Sequence, residues 1–236
     1  MLLKLIRIVP PYGPNHFGPD YKGIIVNLEQ YRPIDAHVKS RFPLFYNVSS
    51  YFRKKRIRYF IEELNINGSE KILDIGGEFY FWEQLEFIKD ITLINLHKSK
   101  ENERIKSIEY DGTTLPFDDN TFDIVFSNST IEHVGDFNKQ KLFALEVERV
   151  GRKHFIQVPS YWFIFEPHAQ IPFFQFLPDS LKKAVITYYN RSTYSVEELV
   201  SIRLLKKSEI KSLFPHSKIV TERFCLMPKS YYIIKS

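Results

Sequence analysis

Two different spacings of apolar residues divide this chain. Within residues 51–66, Ile57, Phe60, Ile61 and Leu64 recur at i, i+3, i+4 and i+7, the spacing that puts one apolar stripe on a helix. Arg53, Lys54, Lys55, Arg56 and Arg58 crowd around that stripe and are expected to form its solvated face. Asn67-Gly68-Ser69 ends the helix. From Lys71 the pattern becomes a series of short apolar runs, at 71–75, 91–96, 106–110, 122–127 and 153–158, each predicted to be a strand. Helices are predicted over 80–89 and 137–149. Strands alternating with helices argue for an α/β fold, a parallel sheet covered on both faces. Right-handed crossovers bring the C-terminal ends of such strands to one edge, where open α/β sheets bind ligands.

After the fifth run comes a proline- and aromatic-rich insert, "PSYWFIFEPHAQIPFFQFLPDS". Pro159, Pro167, Pro172 and Pro178 stiffen it, and residues 160–178 are expected to wall a pocket at the sheet edge. The bland alternative is that Trp162, Phe163, Phe165 and Phe173 complete the core while Glu166 and His168 face solvent. A helix is predicted from Leu181, another behind the capping box Ser195/Glu198, and a short one capped by Ser208. The chain ends as two strands with a turn near Pro228-Lys229, which makes the last strand antiparallel to its neighbour. Residues 1–66 read as an N-terminal arm, "PPYGPNHFGPD" at its heart, followed by the amphipathic helix. Residues 67–236 read as one domain carrying an insert at 159–194.

Composition narrows the class. The 236 residues are 44% hydrophobic, 26% charged and 16% aromatic, as in a folded globular protein rather than a disordered one. A net charge of +5 gives only a mild preference for anions. Cys225 is the sole cysteine, so neither an intrachain disulfide nor a multi-cysteine metal site can form, and no metal is expected. "MLLKLIRIVPP" is too short and too charged for a signal-peptide core, and no run approaches the ~20 apolar residues of a membrane span. A cytoplasmic location is the expectation.

The candidate chemistry begins at "KILDIGGEFYFWEQL", residues 71–85. The strand 71–75, with Asp74 near its end, runs into a Gly76-Gly77 turn, the local design of an adenosine-cofactor site. A dinucleotide site would need further spaced glycines to admit a pyrophosphate. Here Glu78 stands in their place and would repel one. A cationic sulfonium ligand carries no phosphate and tolerates, or benefits from, nearby carboxylates.

"KILDIGG", "ITLINL", "EYDGTTLPFDDNTFDIVFSNSTIEHV" and "FIQVPSYWFIFEPH" together resemble the successive motifs of class I S-adenosylmethionine-dependent methyltransferases. The resemblance covers about residues 70–235, and its later part is similar to a bacterial subgroup of these enzymes. It implies a Rossmann-like methyltransferase fold, a doubly wound, mostly parallel seven-stranded sheet with an antiparallel last strand. It also implies S-adenosylmethionine as cofactor. Asp74, Gly76 and Gly77 match the first motif, with Glu78 and Tyr80 replacing its later glycines. Asn95, 21 positions after Asp74, stands where the family holds the ribose with an acidic residue. Asp111 with Gly112 matches the adenine-reading position, and Ser127 with Asn128 the floor of the pocket after the fourth strand. Phe79, Phe81 and Trp82 are expected to pack the helix or wall the pocket.

Methyl transfer to a hydroxyl needs a base. His133, Glu166 and His168 are the candidates, with Glu132 beside them. The expected acceptor is a small molecule or glycan precursor, no nucleic-acid partner is expected, and a homodimer is compatible with the sequence. The rival class is a binding or scaffolding protein whose degraded glycine loop no longer supports catalysis. A nucleic-acid methyltransferase using the basic helix is weaker, because the run "NSTIE" supplies no Asn/Asp-Pro-Pro-aromatic motif for base amines.

Overall fold

The computed structural model describes residues 43–166, 168–169, 171–189 and 195–236. The arm read at 10–20 and Pro167 lie outside the described residues. Helix α1 (Pro43–Leu64) leads into strand β1 (Lys71–Ile75), followed by α2 (Phe79–Glu83), β2 (Asp90–Asn95), β3 (Ile105–Glu109) and β4 (Phe122–Asn128). Then come a 3-10 turn (Ile131–His133), α3 (Phe137–Val150) and β5 (Gly151–Pro159). The insert forms a two-stranded ribbon of β6 (Phe165–Glu166) and β7 (Ile171–Pro172), and α4 (Asp179–Tyr189) follows. Helices α5 (Val196–Ser201) and α6 (Lys207–Leu213) precede the closing strands β8 (Lys218–Phe224) and β9 (Met227–Lys235).

The main sheet has seven strands in the order β3-β2-β1-β4-β5-β9-β8. β1 through β5 pair in parallel, and β9 runs antiparallel to both β5 and β8. β1 is central and almost entirely buried, which is why its run is continuously apolar rather than alternating. Period-2 geometry sends successive side chains to opposite faces. Ile72, Ile124, Phe126 and Phe155 pack under α1, where Ile57, Phe60, Ile61 and Leu64 are all buried as the stripe predicted. Leu73, Ile75, Val125 and Ile156 pack against Phe143, Ala144 and Val147 of α3 and Ile210 and Leu213 of α6.

Four local expectations change. The helix expected over 80–89 stops at Glu83, because the guanidinium of Arg104 takes the carbonyls of Trp82 (3.3 Å), Leu85 (3.4 Å) and Ile88 (2.7 Å) and holds 84–89 in turns. Ser208 lies inside α6 rather than capping it: Glu209 turns back to accept the Lys206 N–H at 2.8 Å. The closing turn falls at Cys225-Leu226, with Cys225 at φ 54°, and Pro228 is accommodated inside β9 next to a register shift at Glu222/Arg223. The basic face of α1 is not all solvated, because Arg56 is buried and reaches across to β4 and β8. The capping box at Ser195/Glu198 forms as expected.

Candidate active site

The chain steps from β1 outward to β2 and β3, then returns across β1 to β4. The strand order therefore reverses between β1 and β4, and at such a reversal open sheets leave a crevice at the strand C-termini. The glycine turn and the loop after β4 meet there. Gly76 has φ 79°, a conformation side chains resist, and a Cβ on it would stand 2.2 Å from the Thr130 hydroxyl. Thr130 Oγ1 and Ser127 Oγ both donate to the Ile75 carbonyl, at 3.0 and 2.8 Å, which clamps the end of β4 to the end of β1.

Asp74 lies beneath this turn, only 2% exposed. Its Oδ2 accepts the indole N–H of Trp82 at 2.6 Å, while Oδ1 takes no hydrogen bond. Burial, above all, pushes its pKa up to about 7; the Trp82 bond opposes the rise and the charge of Glu78 adds to it. Gly77 is glycine because a Cβ would fall 2.0 Å from Asp74 Oδ2. Asn95 sits at the end of β2, and its Nδ2 donates to the Gly77 carbonyl at 2.6 Å. Asp111 is exposed after β3, its Oδ1 accepting from the backbone N–H and the hydroxyl of Thr113, both at 2.8 Å, while Gly112 packs against Ile75.

The structure thus brings Asp74, Gly76, Gly77, Asn95, Ser127 and Asn128 to one crevice but gives two of them structural duties. Ser127 is fully buried and ties β4 to the end of β1. Asn128 Oδ1 accepts from the Arg56 guanidinium, a link across 72 residues. Phe79 and Trp82 are core residues, and Phe81 packs on that core, stacked on Phe126 at 5.4 Å.

The second cluster joins the 3-10 turn to the insert. His168 Nδ1 and Glu166 Oε1 are 2.7 Å apart, and Glu166, itself buried, also accepts the Ala169 N–H. His168 Nε2 faces His133 Nε2 at 3.1 Å, the rings edge to face. Glu132 is 1% exposed and neither of its carboxylate oxygens has a hydrogen-bond partner among the described residues; Oε1 is 4.0 Å from His168 Nε2. Burial lowers His133 to a pKa of about 4, helped by the charge of His168, so its ring is neutral at pH 7. Burial alone would lower His168 too, but the hydrogen bond and charge of Glu166, with Glu132 behind, outweigh it and raise the ring. Burial raises Glu132 to about 7 against the opposing charge of His168.

Glu166 and His168 therefore do not face solvent as the bland reading of the insert supposed, whereas Trp162 and Phe173 are the exposed members of that run. Behind Glu166 lies a cavity of about 230 Å³, lined also by Tyr161, Phe174, Gln175, Lys182 and Arg203. Sequence reasoning missed Thr130, Arg56 and the Trp82–Asp74 bond. Only the position of Thr130 just past a strand end could have pointed to it.

Residues 87–154 match the sequence model of a family described as methyltransferase domain. Over 90 residues the chain is 29% identical to phosphoethanolamine N-methyltransferase 1 of Arabidopsis thaliana and 30% identical to that of Triticum aestivum. Each match covers 33% of this chain and 18% of the plant protein, so the chain spans less than a fifth of the length of these curated relatives. Among solved structures, the MccD protein is similar at 18% identity over 72% of each chain, with a TM-score of 0.50. A SAM-dependent methyltransferase of Aquifex aeolicus is similar at 12% identity over 75% of this chain and 87% of that one, with a TM-score of 0.49. At 18% identity the likeness to the MccD protein concerns the fold alone. The sheet and the likeness to the MccD protein agree on a Rossmann-like methyltransferase fold, and the sequence match to the methyltransferase domain covers residues 87–154. Among the described residues, no helix is long and apolar enough to cross a membrane.

Proposed function

We propose that the chain transfers a methyl group from S-adenosylmethionine to a hydroxyl of a small molecule or glycan precursor, bound beside Glu166, His168 and His133. The observation that carries this reading is the line of polar groups running from the buried Glu166 through the half-buried His168 to the exposed His133, set just after β4 at the ligand edge of the sheet. Burying the Glu166 carboxylate is costly unless it is paired, and here His168 and the Ala169 N–H pair it.

The residues at the glycine turn fit the cofactor's chemistry. Asp74 presents a buried carboxylate oxygen without a partner among the described residues, and Glu78 adds a second acidic group whose charge reaches it. That donor set suits a cationic ligand and repels a pyrophosphate. Gly76, Gly77 and Asn95 would hold the amino-acid and ribose portions, Asp111 and Gly112 the adenine, and Asn128 the rim. The cofactor supplies an activated methyl on a positive sulfur. The chain's own work is to hold the acceptor oxygen in line and to ease the loss of its proton. In this reading His133, neutral at pH 7, and His168, oriented by Glu166, would serve that second task.

The plant relatives' name favours one second reading, a nitrogen acceptor on a phosphorylated amine, for which the same imidazoles would take the ammonium proton. S-Adenosylhomocysteine at about 100 times its dissociation constant should stabilise the fold by ~2.7 kcal/mol, read as a rise in melting temperature. No shift at millimolar ligand would promote the scaffold reading. With an acceptor in hand, Glu166→Gln should lower turnover by ~10²–10⁴-fold while leaving S-adenosylhomocysteine affinity unchanged.

A further inference from the structure

We propose that Glu132, His133 and His168 form a binding site for one divalent transition-metal ion, of the zinc class, with Glu166 as its supporting residue. Three side chains of metal-ligating type place their donor atoms within 4.8 Å of one another. Two imidazole nitrogens, each about 2.05 Å from a shared ion, stand roughly 2.9 Å apart at octahedral and roughly 3.3 Å apart at tetrahedral angles. The Nε2 atoms of His133 and His168 face each other at 3.1 Å, between those values. The third donor explains an otherwise costly feature. Glu132 is 1% exposed with both oxygens unpartnered among the described residues, and its Oε1 stands 4.0 Å from His168 Nε2, within a small side-chain rotation of a ligand position.

The supporting shell is in place as well. A metal-bound histidine usually donates its other ring N–H to a carboxylate, which fixes the tautomer and the ring orientation. Glu166 Oε1 lies 2.7 Å from His168 Nδ1, and the Ala169 N–H fixes the other Glu166 oxygen. Two nitrogens and a carboxylate suit Zn²⁺, Fe²⁺, Co²⁺ or Ni²⁺ better than Mg²⁺ or Ca²⁺. Three protein ligands leave coordination positions open, and His133 is the exposed member, so the site opens on its side.

This inference deepens the reading of the cluster as the place where the acceptor is activated, and it rests on that reading only for its use. An acceptor hydroxyl taking an open position would lose its proton to solvent while the oxygen keeps the electron pair, so neither histidine need act as the base. It also revises the expectation, drawn from the lone cysteine, that no metal is involved.

The test is direct metal binding by the untagged full chain after chelator treatment. Calorimetric titration with Zn²⁺ should give about one site of submicromolar affinity, and Co²⁺ should develop the visible absorption of a nitrogen- and oxygen-ligated ion. Glu132→Gln, nearly isosteric, and His133→Ala should each weaken binding by more than ~100-fold. Glu166→Gln should weaken it by about 10–100-fold, and His216→Ala, on the exposed surface, should leave it unchanged. Absence of a stoichiometric site in the unsubstituted chain, or undiminished affinity in Glu132→Gln and His133→Ala, overturns the proposal. Melting temperatures of the variants separate lost ligation from lost folding. Because binding is read without cofactor or acceptor, its failure leaves the S-adenosylhomocysteine measurement untouched, and the two readings fall separately.

Discussion

Asp74→Asn isolates the most costly group in the crevice. The buried carboxyl has its pKa pushed up to about 7 from an ordinary 3.8, chiefly by burial. The folded state therefore holds a proton that the unfolded chain has already released across this interval. The stability it contributes is fully present below about pH 3.8 and is lost as pH rises through about 7. Each tenfold change in proton affinity is worth about 1.36 kcal/mol, so the loss is about 4 kcal/mol as an upper figure, a large share of a typical domain's stability. Asparagine remains neutral and keeps an oxygen to accept the Trp82 N–H, now 2.6 Å from Asp74 Oδ2. The variant should match the parent near pH 4 and exceed its stability by a few kcal/mol at pH 8. Urea unfolding followed by far-ultraviolet circular dichroism at four pH values between 4 and 8 measures this. Parallel stability curves for the two proteins would show that Asp74 ionises normally and that the orphaned Oδ1 is solvated. A cationic ligand beside Asp74 should lower its pKa, so binding near pH 6.5 should release protons, visible in calorimetry as a dependence on buffer ionisation enthalpy.

Arg56→Ala should destabilise the fold by about 1.5–3 kcal/mol in urea unfolding, because it removes one of the two cations beside the buried carboxylate of Glu222, leaving Lys229 and the hydroxyls of Ser230 and Tyr232. Burial works to raise Glu222, yet Arg56, Lys229 and the hydroxyls of Tyr232 and Ser230 hold it down at about 2. That contribution is present above about pH 4.5 and lost as pH falls through about 2, so Glu222→Gln should flatten the acid limb of the stability curve, followed by circular dichroism. Asp111→Ala should weaken S-adenosylhomocysteine roughly tenfold or more, and Asn95→Ala by less, because a charged acceptor holds a donor more strongly than a neutral amide. Equal calorimetric affinities for those two variants would misplace the adenosine.

The apolar spacing was enough to locate every strand of the parallel half and the stripe of α1, because burial on two faces writes itself into local sequence as unbroken runs or as a 3.6-residue period. Ser195 and Glu198 were equally legible, since a capping box closes within four residues. What the sequence by itself could not contain is any contact between segments remote in the chain. The early end of α2 depends on Arg104, about 20 residues away, and the burial of Arg56 depends on Asn128 and Glu222. His133 and His168 each had a visible chemistry, but their 3.1 Å approach across 35 residues exists only because the ribbon of β6 and β7 folds back over the end of β4. The same holds for Asp74, read from the sequence as a residue at the ligand edge. Tertiary packing turned it under the glycine turn onto Trp82 and left one oxygen unpartnered, because the buried turn has room for the carboxylate only where Gly77 lacks a Cβ.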